Sequence, residues 1–375
     1  MKKMHIETIA VTSTVLHDNN GSVTPPLYLS TTFERNADGT FPENGYIYNR
    51  IDNPNRRVLE KSLAILEHGA DAFAFASGMA AINSVFQTLR AGDHVILPDD
   101  AYYTIFLLME DYFGAFGVTS SRVDQSNLEQ VRAAVQPNTR LVWLETPSNP
   151  MLKLVDIAAI AKIAHEHNAL CAVDNTWATP ILQNPLVLGA DIAMHSTTKY
   201  FGGHSDVLGG ALIINENAKL GERLRKIQKV GGAVPSPFDC WLITRGIRTL
   251  PLRIKTQSQS AQRLADYLNK HKKIVNVSYP GLKSHPQYKI AQKQMSMPGG
   301  MLSIQVEGGR KEAMGLTRRL KLFTHATSLG GVESLIEHRT SVEGDTSTTP
   351  ESLLRISVGV EHSADLIADF KQALK

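Results

Sequence analysis

Asp191-Ile192-Ala193-Met194-His195-Ser196-Thr197-Thr198-Lys199-Tyr200 is the stretch on which the fold turns. Ile192, Ala193 and Met194 form a short continuous apolar run, the pattern of a strand covered on both faces. Hydroxyls and a lysine follow at once, then Gly202 and Gly203, so the chain leaves the strand into a polar loop. The same pattern recurs at residues 95–97, 141–144, 170–173 and 212–214. Between these runs lie helical stripes. Ile82, Val85, Phe86 and Leu89 fall at i, i+3, i+4 and i+7, and Ile157, Ile160, Ala161 and Ala164 repeat that spacing. Strands alternating with helices predict an α/β architecture: a mostly parallel sheet flanked by helices on both faces.

Either side of this region the pattern changes. Residues 1–55 are rich in Thr, Asn, Pro and Gly with little periodicity, as in a surface arm, a segment docked on a neighbouring subunit, or a frayed terminus. Pro235 and Pro237 mark a junction, after which a helical stretch holds Ala261, Leu264, Ala265 and Leu268. Strand-like runs come next near 275–279, 301–306 and 354–358, then a closing helix with Leu366, Ile367, Phe370 and Leu374. Strict alternation is lost, so a smaller α+β C-terminal domain is expected. The expected division is an arm at 1–55, a large domain at 56–234 and a C-terminal domain at 235–375.

The 375 residues suffice for two domains at roughly 150 residues each. Apolar residues at 42% and charged residues at 20% exclude global disorder. A formal charge of +3 with no basic stripe gives no case for nucleic acid. Cys171 and Cys240 are too few for a disulfide framework or a Cys-rich zinc site. His165 and His167, two apart on a helix, point to different faces, so no metal site is expected there. Lys2 and Lys3 give the positive start of a secretory signal, but His5, Glu7 and His17 break up the apolar core that such a signal needs. No run reaches the ~18 apolar residues of a membrane span. A soluble cytoplasmic protein with no membrane partner is expected. G-x-x-x-x-G-K-[ST], a strand followed by G-x-G-x-x-G, and G-x-S-x-G are all absent, which leaves P-loop, dinucleotide and serine-hydrolase chemistry unsupported.

Open parallel sheets bind ligands at the carboxyl ends of their strands. Here those ends carry Asp99-Asp100-Ala101-Tyr102, Glu145-Thr-Pro-Ser-Asn149-Pro150, Asp174-Asn-Thr-Trp177 and His195-Ser196-Thr197-Thr198-Lys199. This set suits pyridoxal phosphate. Its aldehyde needs an amine, and Lys199 is the one lysine at such a strand end. Its ring nitrogen stays protonated against a carboxylate such as Asp174. Its phosphate needs donors, which Ser196, Thr198 and the helix start at Ser77-Gly78-Met79 offer. Tyr102 offers a face for the ring. Taken singly, the lysine reads as a solvated group, the Asp as a turn or cap, Ser77-Gly78 as an N-cap and Tyr102 as core. Their convergence on strand ends is what points to the cofactor.

Residues 191–205, ending in Lys199-Tyr-Phe-Gly-Gly-His-Ser205, resemble the lysine signature of the pyridoxal-phosphate enzymes of cysteine and methionine metabolism. That family holds the cystathionine β-lyases, γ-lyases and γ-synthases and the methionine γ-lyases. Tyr48-Asn-Arg50-Ile-Asp-Asn-Pro54, Phe75-Ala-Ser-Gly-Met-Ala80, Glu145 to Pro150, Asp174 to Trp177, Ser328-Leu-Gly-Gly-Val-Glu-Ser-Leu335 and Leu354-Arg-Ile-Ser-Val-Gly359 stand in family order. The resemblance implies the fold-type I, aspartate-aminotransferase-like architecture and a homotetramer built from two active dimers. It implies that Lys199 carries the cofactor, that Asp174 pairs with its ring nitrogen and that Asn149 lies near its phenolate oxygen. Ser77, Gly78, Met79, Ser196 and Thr198 would hold the phosphate, with Tyr48 and Arg50 reaching it from the neighbouring subunit. Arg355 would clamp the carboxylate of a sulfur amino-acid substrate, with Ser328 and Asn149 beside it. Tyr102 would stack on the ring and help deprotonate the incoming amine.

Departures from the family pattern bear on the reaction. γ-Synthases and γ-lyases typically place a Glu immediately before the serine of Ser-Leu-Gly-Gly; this chain has Thr327. Methionine γ-lyases usually carry a Cys two residues past the stacking Tyr; here it is Thr104, and Tyr103 and Thr104 replace a Gly-rich turn. The segment from Glu337 to Pro350 is shorter than usual and lacks Met-Thr-His. β-Cleavage of cystathionine is the favoured expectation, with γ-lyase and γ-synthase as alternatives.

Overall fold

In the computed structural model the apolar runs become two sheets. It describes residues 4–375 except 17, 19, 44 and 345–348, so Lys2, Lys3, His17 and the middle of the 337–350 segment lie outside the described residues. The larger sheet comprises β1 (Asp71–Phe75), β2 (His94–Pro98), β3 (Thr119–Val123), β4 (Thr139–Glu145), β5 (Leu170–Asp174), β6 (Ile192–His195) and β7 (Gly210–Ile214). Their order is β1-β7-β6-β5-β4-β2-β3. β7 runs antiparallel to both β1 and β6, and the other neighbours are parallel. The expected mostly parallel sheet flanked by helices is what forms.

β2, β4, β6 and β7 are buried along their whole length apart from Arg140, because helices cover both faces. The helix Gly78–Phe86 and part of the sheet bury Phe73, Phe75, Ile82, Val85, Phe86 and Trp143 together. On the other side the helix Ile157–Glu166 packs Ile157, Ile160 and Ile163 with Val142, Leu144 and Val173.

The second sheet comprises β8 (Ile274–Ser278), β9 (Met301–Val306), β10 (Thr324–His325), β11 (Leu335–His338) and β12 (Leu353–Ser357), in the order β10-β11-β12-β9-β8. It is antiparallel apart from β10 with β11. The helix Leu250–Leu268 ties the two halves together. Leu250 and Ile254 pack in the core beneath the large sheet, while Ala261, Leu264, Ala265 and Leu268 pack on the small one.

Four details correct the reading from sequence. β3, Thr-Ser-Ser-Arg-Val, has no apolar run because it is a half-covered edge strand. β1 pairs with β7 at the edge of the sheet, and its alternating Ala and Phe gave no continuous signal. The stripe through Leu89 ends as a helix at Phe86, leaving Leu89 to pack from the turn beyond. The arm is not wholly irregular: Ile6–Thr12 is helical, with Ala10 buried and Ile6 and Ile9 against the core.

Candidate active site

The carboxyl ends of β4, β5 and β6, the start of the Gly78–Phe86 helix and the small sheet enclose a cavity of about 400 Å³. Its wall includes Ser77, Gly78, Met79, Tyr102, Asn149, Asp174, Ser196, Thr198, Lys199, Ser328 and Arg355. Every candidate expected from sequence is therefore there except Tyr48 and Arg50. Those two lie on the arm outside this cavity: Tyr48 is 43% exposed, and the Arg50 guanidinium lies 5.8 Å from its ring and donates to the Lys229 carbonyl.

Lys199 sits just beyond β6, where the loop turns, and its Nζ donates to Ser328 Oγ at 2.8 Å. Burial, with the neighbouring Arg355, pulls its amine down to about 8 from the ordinary lysine value, against the opposing pull of Glu337. A neutral, nucleophilic amine is thus within reach near neutral pH.

Asp174 closes β5, and its Oδ1 accepts from the Thr176 amide at 2.9 Å. Burial raises its pKa, opposed by the Thr176 bonds. Glu145 stands beside it in the β4–β5 register and takes the Tyr102 amide at 2.8 Å. Burial and the nearness of Asp174 push Glu145 well above the carboxylate range. Two adjacent buried acids with no hydrogen-bonded cation among the described residues are costly unless a positive group meets them. A protonated ring nitrogen against Asp174 is such a group.

At the helix start, Ser77 caps the Ala80 amide at 3.1 Å. The amides of Gly78 and Met79 have no intrahelical acceptor by position, and the positive end of the helix faces the cavity wall. A Cβ on Gly78 would come within 2.9 Å of the Ser196 side chain, so glycine is what lets this turn approach the β6 loop. The Ser196 amide donates to Thr176 Oγ1 at 2.8 Å, and no hydrogen bond ties its hydroxyl among the described residues. Thr198 differs: its hydroxyl already bonds the Gly209 carbonyl and amide at 3.2 and 3.0 Å. A dianion matches this donor set, so these residues fit a pyridoxal phosphate group.

From the small sheet, Arg355 on β12 reaches across to Asn149, donating from Nη1 to Oδ1 at 3.1 Å and from Nη2 to the Ser328 carbonyl at 3.0 Å. It also pairs with Glu337, its neighbour in the β11–β12 register. Burial lowers it to about 10, so it stays cationic at neutral pH. Tyr102, 38% exposed, meets Tyr103 edge-on at 5.8 Å between ring centroids.

Sequence reading did not assign Glu145, Thr176, Arg339 or the buried pair Glu67–His195. Glu67 accepts from the Asn175 side-chain Nδ2 at 2.8 Å and lies 2.5 Å from His195 Nε2, bracing β6 from behind. Arg339 stands one residue past β11, where it pairs with Glu337 on that strand and with Glu343 one turn further on. His165 and His167 are exposed, His165 meeting Asp191 at 2.9 Å. No cluster of three metal-ligating side chains occurs among the described residues, and no helix among them is long and apolar enough to cross a membrane.

The family model described as Cys/Met metabolism PLP-dependent enzyme matches residues 7–375. The chain is 47% identical to the cystathionine gamma-synthase of Mycobacterium tuberculosis over 360 residues, covering 94% of this chain and 92% of that protein. It is 42% identical to the cystathionine beta-lyase of Coxiella burnetii, covering 100% of this chain and 98% of that one. The solved structure of metB from Corynebacterium glutamicum superposes with a TM-score of 0.96 at 42% identity, covering 99% of this chain and 98% of that chain.

Proposed function

The chain belongs to the Cys/Met metabolism PLP-dependent enzyme family, and on that premise we propose that it cleaves L-cystathionine by β-elimination, consuming water and releasing homocysteine, pyruvate and ammonia. The cofactor of this family is pyridoxal 5'-phosphate, and the fold is fold-type I. When bound, that group supplies an aldehyde for an amine and a cationic ring that accepts the electron pair of the Cα–H bond. Ser77, Gly78, Met79, Ser196 and Thr198 would hold its phosphate, Asp174 its ring nitrogen, and Asn149 its phenolate edge.

The rest is done by side chains of this protein. Arg355 receives the α-carboxylate on a fork pre-set by Asn149 and the Ser328 carbonyl. Tyr102, at the open side of the cavity, takes a proton from the substrate ammonium. Lys199, whose amine burial holds below the ordinary lysine value, would act as the base that removes the Cα proton. The same Nζ, now an ammonium, returns a proton to the departing sulfur. One cycle of Lys199 therefore completes β-cleavage, whereas γ-cleavage requires a second proton to leave Cβ.

Thr327 carries the choice between them. It lines the cavity beside Ser328, at the position where γ-chemistry leads one to expect a glutamate for the distal amino group. The 47% identity to mycobacterial cystathionine gamma-synthases favours a second reading, γ-replacement of an activated homoserine by cysteine. Identifying the keto acid formed from L-cystathionine alone by mass spectrometry separates them. Pyruvate with homocysteine supports β-cleavage. Oxobutyrate with cysteine establishes a γ-lyase, and the absence of both products moves the assignment to γ-replacement.

The arm extends the proposal to the assembly. Tyr48 and Arg50 would complete the phosphate site of a neighbouring subunit, in a homotetramer of two active dimers.

A further inference from the structure

Arg339 stands in the cavity wall, only 3% exposed, in a position that neither the cofactor nor the α-carboxylate uses. We propose that Arg339 receives the distal carboxylate of the substrate and so selects amino acids bearing a second acid group at the far end of the chain. The proposal deepens the β-cleavage reading and rests on it for the substrate class.

The guanidinium is already fixed in place. Its Nε and Nη2 donate to Glu343 Oε1 at 3.1 and 2.9 Å, and its Nη1 donates to Glu337 Oε2 at 3.0 Å. Three of five N–H groups are thereby used among the described residues, which leaves two for a ligand. A guanidinium held this way loses little freedom when it binds an acid. Arg355 shares Glu337 with it and also binds Asn149 and the Ser328 carbonyl, so the two arginines mark separate anion positions. Of the acids in the cavity wall, Glu145 feels the charge of Arg339 without forming an ion pair with it, and Asp174 lies at the end of β5. Val342, 39% exposed, and Tyr103 line the same cavity and offer apolar surface to a thioether chain.

The rival is that Arg339 only positions Glu337 and, through it, Arg355. Two uncleavable amino acids of equal length distinguish the two: L-α-aminosuberate, which ends in a carboxylate, and L-α-aminooctanoate, which ends in a methyl. Each is titrated calorimetrically into the cofactor-loaded enzyme. In Arg339→Gln the dissociation constant for aminosuberate rises about tenfold or more, the loss of a charge-assisted contact, while that for aminooctanoate stays within about twofold. Arg339→Lys recovers part of the loss. Val342→Glu sets a competing carboxylate in the same wall and weakens aminosuberate more than aminooctanoate, which loses only the shared apolar contact. Equal weakening of both ligands in Arg339→Gln, or aminosuberate binding untouched in either variant, overturns the proposal. Neither ligand has a leaving group, so this outcome is independent of whether β-cleavage is the reaction, which the keto acid decides.

Discussion

At the scale of single residues, the site depends on what burial does to charge. An ordinary lysine is about 99% protonated at pH 8, and Lys199 is about half so, because burial and Arg355 disfavour its ammonium. The base form is lost as pH falls below about 8, so kcat on L-cystathionine rises with pH and levels off above that point, read from a pH–rate profile. Lys199→Ala removes both the cofactor's bound-state absorbance and turnover. Asp174→Asn keeps the fold but removes the buried anion against the ring, and kcat falls by about two orders of magnitude or more in steady-state assays. Lys199 and Asp174 were legible in sequence because each follows a recognisable apolar run, whereas the roles of Asn149 and Arg355 came from the family resemblance. Glu145 was not, since its meaning comes from Asp174 across a ladder, and Arg339 was not, since only the fold shows that Glu337 and Glu343 fix it in the cavity wall.

The elements set how closely these residues meet. β7 begins at Gly210, where an added Cβ would lie 2.1 Å from the Ser77 carbonyl oxygen. No side-chain adjustment relieves a backbone contact of that kind, so Gly210→Ala must push the start of the Gly78–Phe86 helix outward. The expected result is a loss of about 1–3 kcal/mol in stability and at least a tenfold weaker affinity for pyridoxal phosphate. Thermal unfolding of the cofactor-free protein measures the first and cofactor titration the second. Sequence patterning found the covered strands β2, β4, β5, β6 and β7 because burial on both faces demands continuous apolar runs. It missed β1, β3 and the two-residue β10, which lie at sheet edges, and also β11, an internal strand of four residues that carries Glu337 and His338 instead of a continuous apolar run.

Over the whole molecule, the cavity exists only because two sheets face each other. Lys199 comes from the large one and bonds Ser328, and Arg355 comes from the small one and bonds Asn149. The Leu250–Leu268 helix, packed in both cores, fixes that relation. The loss of strict strand–helix alternation foretold the smaller C-terminal sheet, whereas the route of Arg355 into the large sheet's strand ends needed coordinates. A shared site between subunits has a distinct signature. Arg50→Ala and Lys199→Ala homo-oligomers are each expected to be weakly active or inactive, and co-assembled hybrids to regain part of the wild-type rate through the one site free of both changes. Hybrids with no recovered activity would confine the site to one chain.

The central claim is that Lys199 holds the cofactor. Treating the loaded enzyme with borohydride, digesting it and mapping the added phosphopyridoxyl mass tests this without reference to any substrate. The label is predicted on the peptide containing Lys199 and on no other lysine. A label on Lys153, Lys321 or any other lysine, with Lys199 unmodified, would contradict the claim.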